Sequence, residues 1–153
     1  MDNRRENLKR VHKLKLDVSR ALEAETKRLD CHGKSVFVGI RGGETTGDGL
    51  SIAGYGAVHE FGTAGMPERS FLRVPLSERK NEIYNIAHDV LKAGGTCQNA
   101  LDAMGLTGVN ISSDAFDKND WAPNKSETIK RKGSEKVLVD TGQLRQAIDY
   151  VIR

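Results

Sequence analysis

The sequence lacks the long apolar runs that membrane-spanning proteins carry. No stretch of the 153 residues approaches the roughly twenty consecutive apolar residues that a helix needs to cross a bilayer. The N-terminus is charged from Asp2 onward and has no apolar segment of the kind found in secretory signals. These absences predict a soluble protein with no membrane partner and no secretory signal.

Cysteine is also scarce, because only Cys31 and Cys97 are present, far apart and without Cys-x-x-Cys spacing. This pattern predicts neither a disulfide framework nor a zinc knuckle. Two such cysteines suit a protein that works in a reducing cytosol.

The sequence has little excess of charge of one sign. Its 24 basic residues nearly balance its 21 acidic ones, which leaves a net charge of +3. Proteins that bind nucleic acid through phosphates usually concentrate Lys and Arg on one stripe. Here the basic residues gather at 1–30 and 125–136, and both stretches are interleaved with acids. A dedicated nucleic-acid binder is not indicated, although a small DNA-binding module using the second stretch stays open as an alternative.

Recognisable catalytic motifs are absent as well. His59 and Glu60 begin like the zinc motif HExxH, but Thr63 occupies the position of the second histidine. The fragment at 33–35 ends like a phosphate-binding loop, yet it precedes a predicted strand instead of following one. The fragment at 54–56 lacks the third glycine of a dinucleotide site and is better interpreted as a flexible strand. We therefore expect no enzymatic activity, no cofactor and no metal.

What the sequence does contain begins with a helical pattern near the N-terminus. Apolar residues recur there at spacings of three, four and seven, which predicts a helix from Arg5 to Asp30. The members of this stripe are Leu8, Val11, Val18, Leu22 and Leu29. Helical propensity alone leaves such a helix marginal, so the stripe must cover either the domain's own sheet or a neighbouring subunit. We expect the sheet.

Two strands are predicted after this helix. Gly33 suits a left-handed end of the helix, and 34–40 alternates in the manner of a strand. The glycine-rich segment 41–49 connects it to a second predicted strand from Leu50 to Phe61. The two strands would form a long-looped β-hairpin.

Central helices are predicted next. The segment 70–74 should be extended, Pro75 suits a helix start, Ser77 is a candidate N-cap, and Gly94 ends the run. A shorter helix is expected to start at a Thr96 cap and to end at the next glycine, residue 105.

The segment 105–136 is interpreted as an extended arm or loop with one helical turn around 126–132, because its pattern is weak and largely polar. A helical turn at 143–147 and a closing strand at 148–152 should follow it. The elements predict a single domain over residues 1–153 of the α+β class. In this fold an antiparallel β-sheet is packed by a long N-terminal helix and one or two central helices, with extended loops.

Two blocks depart from generic globular sequence. The first block consists of Ala57–Thr63 and Met66–Arg73, and the second of Trp121–Asn124, Thr128–Gly133 and Leu138–Arg145. Their residues, and the order in which they occur, resemble the phage virion-morphogenesis and tail-completion family. The blocks cover about a third of the chain.

The sequence departs from the family pattern at two places. Glu68-Arg69-Ser70 stands where members often have Ala-Arg-Pro, and Ala147 stands where a serine is common. These departures affect local turn chemistry and leave the resemblance in place.

The resemblance implies a structural protein of a tailed-phage virion, located in the neck or tail and assembled in the host cytoplasm. Such a protein forms a ring, for which six copies are preferred and twelve are possible, that joins the head connector to the tail. Its partners would be further copies of itself, the head connector or adaptor, and the tail terminator or tail tube proteins. Genomic DNA would pass close by in the lumen without being read. The alternative within virion proteins is a tail terminator or a morphogenesis factor.

The first block also has a direct physical interpretation. Gly62 lets the chain reverse, Thr63 can bond local backbone, and the rings of Phe61 and Phe71 would anchor the turn in the core. Beside this structural role, arginines of the block could project from a rigid corner towards an acidic surface of a neighbour.

In the second block, Asp140 or Thr141 is expected to cap a short helix that starts at residue 143. The basic stretch 128–136 is either an arm that orders on contact with a partner or a solvated loop.

The residues expected to contact subunits or partners are Arg69, Arg73, Trp121, Lys130, Arg131, Lys132 and Lys136. The residues expected to hold the motif structure are Glu60, Phe61, Gly62, Thr63, Pro67, Phe71, Pro123, Thr128, Leu138, Asp140, Thr141, Gly142 and Leu144.

Overall fold

A computed structural model of the chain describes residues 2–43, 45, 49, 51–133, 135–138 and 142–153. Within these residues, seven helices accompany a two-stranded antiparallel sheet, which confirms the predicted α+β class. The elements in chain order are α1 (Asp2–Leu29), β1 (Val36–Ile40), α2 (Ile52–Phe61), α3 (Arg73–Glu78), α4 (Lys80–Lys92), α5 (Cys97–Lys118), α6 (Ser126–Lys132), α7 (Gln143–Gln146) and β2 (Ile148–Ile152).

The sheet pairs β1 with β2, so that Val36 lies opposite Ile152 and Ile40 opposite Ile148. Strand β1 and strand β2 were both predicted, but the predicted hairpin between residues 34–40 and 50–61 is wrong. The second of those segments is helix α2, which Ser51 caps by accepting a hydrogen bond from the backbone N–H of Gly54.

The error at α2 has a physical reason. The buried residues of this helix are Ile52, Gly56, His59 and Glu60, and their spacing of four, three and one is that of a helix. Glycine at position 56 suggests a flexible strand, but here it allows close packing. A Cβ added to Gly56 would lie 2.1 Å from Cδ1 of Ile40.

Two more glycines bring α5 against the sheet. The predicted cap at Thr96 is confirmed, and it forms a capping box with Asn99, but the helix continues through Gly105 to Lys118. A Cβ at Gly105 would lie 2.2 Å from the ring of Tyr150, and one at Gly108 would lie 2.7 Å from Val38. The expected helix end at Gly105 is therefore wrong, because this glycine serves close approach of a strand instead of termination.

The α3–α4 region also differs in detail from the prediction. Helix α3 starts at Arg73, with Pro75 inside its first turn, and Ser77 lies within this helix instead of capping the next one. Gly94, with φ +89°, does follow α4 as expected.

The hydrophobic core lies where α2, α5, α7 and β2 meet. Phe71 is fully buried at its centre, against Phe116 at a ring-centroid distance of 5.2 Å. The other buried members are Ile52, Val137, Leu138, Leu144, Ala147 and Ile148.

Helix α1 does not cover the sheet, contrary to expectation. All its side chains from Lys15 to Lys27 are exposed, among them Leu22 at 63%. At the end of the helix, Arg28 donates hydrogen bonds to the backbone oxygens of Leu91 and Gly95. The helix is thus held at its C-terminal end, and the described members of its apolar stripe, Val18, Leu22 and Leu29, are exposed.

A disulfide between Cys31 and Cys97 secures the same end of α1. The prediction that the two cysteines form no disulfide framework is wrong, because the chain returns after 66 residues and places the two Cα atoms 5.5 Å apart. Sequence spacing gave no sign of this return, whereas the Cα distance is within the range that a disulfide needs.

Candidate functional site

The two blocks that carry the family resemblance meet in one corner of the fold. Helix α2 places Glu60 in its last turn, where the carboxylate is buried. Its oxygens accept four hydrogen bonds, from the hydroxyl of Ser70 and from the backbone N–H groups of Phe71, Leu72 and Arg73. The first amides of a helix have no partners inside the helix. Glu60 therefore caps α3 from a distant part of the chain.

Gly62 makes the turn that brings the chain back towards Glu60. Its φ is +68°, and an added Cβ would lie 2.8 Å from the backbone N of Glu68 and 2.9 Å from the backbone O of Met66. Thr63 contributes through its backbone, whose N–H and C=O both pair with Met66. Pro67 follows this turn on the surface. The predicted reversal at Gly62 is confirmed, although it ends a helix and not a strand.

Arg69 joins the first block to the second. It is only 7% exposed, and its guanidinium donates hydrogen bonds to the backbone oxygens of Ala122 at 3.1 Å and Pro123 at 3.3 Å. Removal from water lowers the pKa of Arg69, an effect that the nearby Tyr55 opposes. The expectation that Arg69 projects towards a neighbour is wrong, because the side chain is buried and its Nη2 donates to backbone carbonyls of the second block.

Trp121 makes a second link between the blocks. Its indole N–H donates to the backbone oxygen of Ser70 at 3.1 Å, and its ring stands edge-on against Phe116 at 5.6 Å. The buried hydroxyl of Ser112 donates to the backbone oxygen of Phe71 at 2.7 Å. Trp121, which was expected to contact a partner, is thus a half-buried part of the corner. Phe71 is buried in the core, as was expected of it.

Replacing Arg69 with methionine should lower the free energy of unfolding by about 2 kcal/mol, because the carbonyls of Ala122 and Pro123 lose their donor. Methionine keeps the apolar stem. Part of the loss is offset, because the variant also removes the buried Nε–H of Arg69, which has no hydrogen-bond partner among the described residues and therefore costs free energy in the parent. Urea unfolding monitored by circular dichroism measures the change.

The matched control is Arg73→Met, since Arg73 is exposed and its side chain pairs with Glu68 at the surface. A surface ion pair contributes about 0–1 kcal/mol, so this variant should stay close to the parent protein. Equal losses for the two variants would contradict the linking role of Arg69.

The prediction of an extended arm over 105–136 is wrong for 105–118, which belong to α5, whereas the predicted helical turn around 126–132 is confirmed as α6. Asn119, in the left-handed conformation, exchanges hydrogen bonds with the backbone of Val137, and Asn124 donates to the backbone oxygen of Lys136. These hydrogen bonds join the two ends of the stretch 119–137, on either side of α6.

Helix α6 carries the basic residues that were expected to meet a partner. The backbone oxygen of Lys125 accepts the N–H of Thr128, and Gly133, with φ +64°, ends the helix. Lys130 and Lys136 are exposed. The side chains of Arg131 and Lys132 lie outside the described part of the structure.

The remaining motif positions lie at the end of the second block. Leu138 and Leu144 are buried in the core, and Gly142, with φ +77°, precedes α7. The predicted cap residues Asp140 and Thr141 lie outside the described residues.

Helix α2 turns one apolar face to the outside. Phe61 is 66% exposed, so its predicted role as a core anchor is wrong. Tyr55 and Val58 are also exposed, at the same three-residue spacing along the helix. We call Tyr55, Val58 and Phe61 the α2 apolar face.

A groove of about 520 Å³ runs between the blocks beside the corner. Among the residues that line it are Tyr55, Arg69, Pro123 and Lys125. Arg69 and the backbone of Pro123 are hydrogen-bonded to each other, so the groove lies on the outer surface of the corner. Its described lining residues include no carboxylate that could form an acid–base pair.

Other kinds of site are not found in the described residues. They contain no group of three or more His, Cys, Asp or Glu residues placed to hold a metal ion. None of the described helices combines the length and the apolar character that a membrane span requires. In comparisons with known proteins, no family model matches the chain, and neither a curated protein nor a solved structure matches it.

Proposed function

We propose that this chain is a structural protein of a tailed-phage virion, a tail-completion or neck component whose ring joins the head connector to the tail. The observation that carries the proposal is the corner itself. The two blocks that resemble the tail-completion family build one buried unit, whose polar side chains bond to the protein's own backbone. Because these polar side chains stabilise the fold itself, the corner supports a protein that acts by shape and contact.

Glu60 illustrates why a scaffold fits better than an enzyme. A general acid or base must direct a proton or a lone pair at its substrate. The carboxylate of Glu60 is buried and faces four donors from 70–73. Its hydrogen bonds fix the start of α3 relative to α2, and this fixed geometry is what an assembling subunit needs.

The α2 apolar face supplies the contact surface. It lies directly beside the rigid corner, because Phe61 is the last residue of α2 and Glu60 precedes it. Exposed aromatic side chains on a rigid support are typical of subunit interfaces. We assign this face to the neighbouring copy in the ring, for which six copies are preferred and twelve remain the alternative.

Two rival functions use the same chain differently. A tail terminator or a morphogenesis factor would also act by contact, and a micrograph of particles lacking the protein separates them: free heads and free tails indicate joining, and tails of abnormal length indicate termination.

The DNA-binding module would rely on the basic residues at 125–136. DNA affinity that is selective for sequence and survives moderate salt would favour that function over ours.

Replacing Val58 and Phe61 together with serine should leave the subunit folded while reducing the joining of heads to tails more than about tenfold, as expected when interface hot spots are removed. Both side chains are exposed, so the fold loses little. Joining is measured by adding purified protein to separated heads and tails and counting complete particles by electron microscopy.

Tyr84→Ser is the matched control, because Tyr84 is an exposed aromatic residue on α4, away from the α2 apolar face. This variant should join heads to tails at the parent rate. Normal joining by the folded double variant would remove the α2 apolar face from the proposal.

A further inference from the structure

Helix α1 presents a long surface that the rest of the chain leaves uncovered. Its described side chains from Lys15 to Lys27 are exposed, and the fold holds it at Arg28 and at the disulfide of Cys31. An isolated helix is marginal in water, and an exposed apolar stripe marks a surface for a partner. The charged residues Lys15 and Glu25, which lie on the same side of α1 as this stripe, indicate which partner fits.

Five residues of α1 define what we call the seam. At 100° per residue they fall within an arc of about 80°, as expected for positions that repeat at four and three residues. The members of the seam are Lys15, Val18, Leu22, Glu25 and Leu29. One basic and one acidic residue thus flank a pair of apolar residues, and both charges lie on the line that a partner helix would contact.

We infer that two copies of this chain pair through α1 in antiparallel orientation, with the twofold axis at the level of residue 20, between Val18 and Leu22. In this register Lys15 of one copy faces Glu25 of the other, and Val18 faces Leu22. Because the pair is symmetric, each of these matches occurs twice. The small residues Ser19 and Ala21 flank the axis and let the helices approach closely.

The charges exclude the parallel arrangement. In a parallel pair Lys15 would face Lys15 and Glu25 would face Glu25, which sets like charges against each other at two levels of the seam. Polar residues at seam positions fix the register and orientation of paired helices, and like charges at an interface are costly. The antiparallel register turns both charges into attractive pairs.

Glu25 remains available for this contact. Its carboxylate is hydrogen-bonded by Arg28 of the same helix, yet its side chain is still 54% exposed. A carboxylate has room for several donors, so Lys15 of the second copy can bind beside Arg28. The inference concerns α1 alone and goes beyond the proposed function, which rests on the corner and on the α2 apolar face.

Charge reversal tests the pairing. The full oxidised chain should sediment as a dimer that dissociates on dilution. The single variants K15E and E25K place like charges opposite each other twice per dimer, so each should raise the dissociation constant at least about tenfold. The double variant K15E/E25K restores opposite charges and should recover the parent dissociation constant to within a few-fold.

Weakened single variants together with a recovered double variant identify the antiparallel register, because in a parallel pair all four of these homodimers would set like charges against each other. Mixing the two single variants then tests the same contacts in a heterodimer. When the single variants K15E and E25K are combined, the introduced glutamate of the first meets the introduced lysine of the second. At the other end of the seam, the unchanged Glu25 of the first meets the unchanged Lys15 of the second. The mixture should therefore dimerise although each variant alone is weakened. The matched control is K13E, which makes the same charge change about 160° around the helix from the middle of the seam and should dimerise like the parent.

Analytical ultracentrifugation over a range of concentrations measures all these samples, and circular dichroism verifies that each keeps its helix. A parent chain that stays monomeric at millimolar concentration would overturn the inference, as would single variants that dimerise normally. If E25K loses helix content, the comparison of K15E with its matched control K13E carries the test, because neither of these variants changes Glu25. Head-to-tail joining by the Val58 and Phe61 variants reports on the proposed function separately, so failure of one proposal leaves the other standing.

Discussion

Replacing Glu60 with glutamine is expected to lower the free energy of unfolding by about 3 kcal/mol, since an amide NH₂ group then faces two protein donors. Each oxygen of the Glu60 carboxylate accepts two hydrogen bonds, Oε1 from Ser70 and Arg73 and Oε2 from Phe71 and Leu72. Whichever oxygen becomes nitrogen, two donors at the start of α3 lose their acceptor. Chemical unfolding followed by circular dichroism measures the loss.

The control for this change is Glu68→Gln, in the same block. Glu68 is exposed and pairs with Arg73 at the surface, so its replacement should cost about 1 kcal/mol or less. The two variants make the same chemical change, and their difference isolates the buried cap. A loss below about 1 kcal/mol for Glu60→Gln would show that the four hydrogen bonds do not hold the corner.

Removing the disulfide should have a still larger effect. In the double variant Cys31→Ala and Cys97→Ala, unfolding should become about 4 kcal/mol easier, because the bond closes a loop of 66 residues and limits the unfolded chain. The same loss is expected when a thiol reductant is added to the parent protein. Urea unfolding with and without reductant gives both values.

The double cysteine variant is its own control, since a reductant should leave its stability unchanged. Titration of the denatured, unreduced parent with a thiol reagent should find no reactive thiol. Two reactive thiols in protein purified under air would contradict the bond.

The sequence predicted those parts of the fold that depend on local chemistry. The Thr96 cap, the left-handed Gly33 and the alternation in 148–152 are local signals, and the structure has all three features. The prediction failed where a glycine had two possible roles. Gly56 and Gly105 suggested a flexible strand and a helix end, yet both lie inside helices, where a distant side chain fills the space of the missing Cβ.

The candidate site was predicted as two parts with separate tasks. The first block was expected to be a rigid corner and the second a basic arm. Tertiary contacts that no local pattern encodes join them, above all those of Arg69 and Trp121. A charged residue within a turn usually lies at the surface, so burial of Arg69 could not be read from its neighbours in sequence.

Helix α1 marks a similar limit. The helix was predicted correctly from its apolar stripe, but an apolar stripe does not show whether it packs on the protein's own sheet or on a neighbouring subunit. The positions of Lys15 and Glu25 in the seam argue against packing on the sheet, because a sheet of this domain would leave both charges buried against apolar residues.

The pairing of β1 with β2 has a consequence for synthesis of the protein. Arg41 and Asp149, at the end of the sheet, are 108 positions apart in the chain. At about 5–20 residues per second, a ribosome needs roughly 5–20 s to make the second strand after the first. Throughout that interval β1 has no strand partner, and Gly105 leaves an open notch on α5 where Tyr150 will pack. The nascent chain therefore passes through a stage in which its sheet is half made, and during this stage it is most exposed to aggregation.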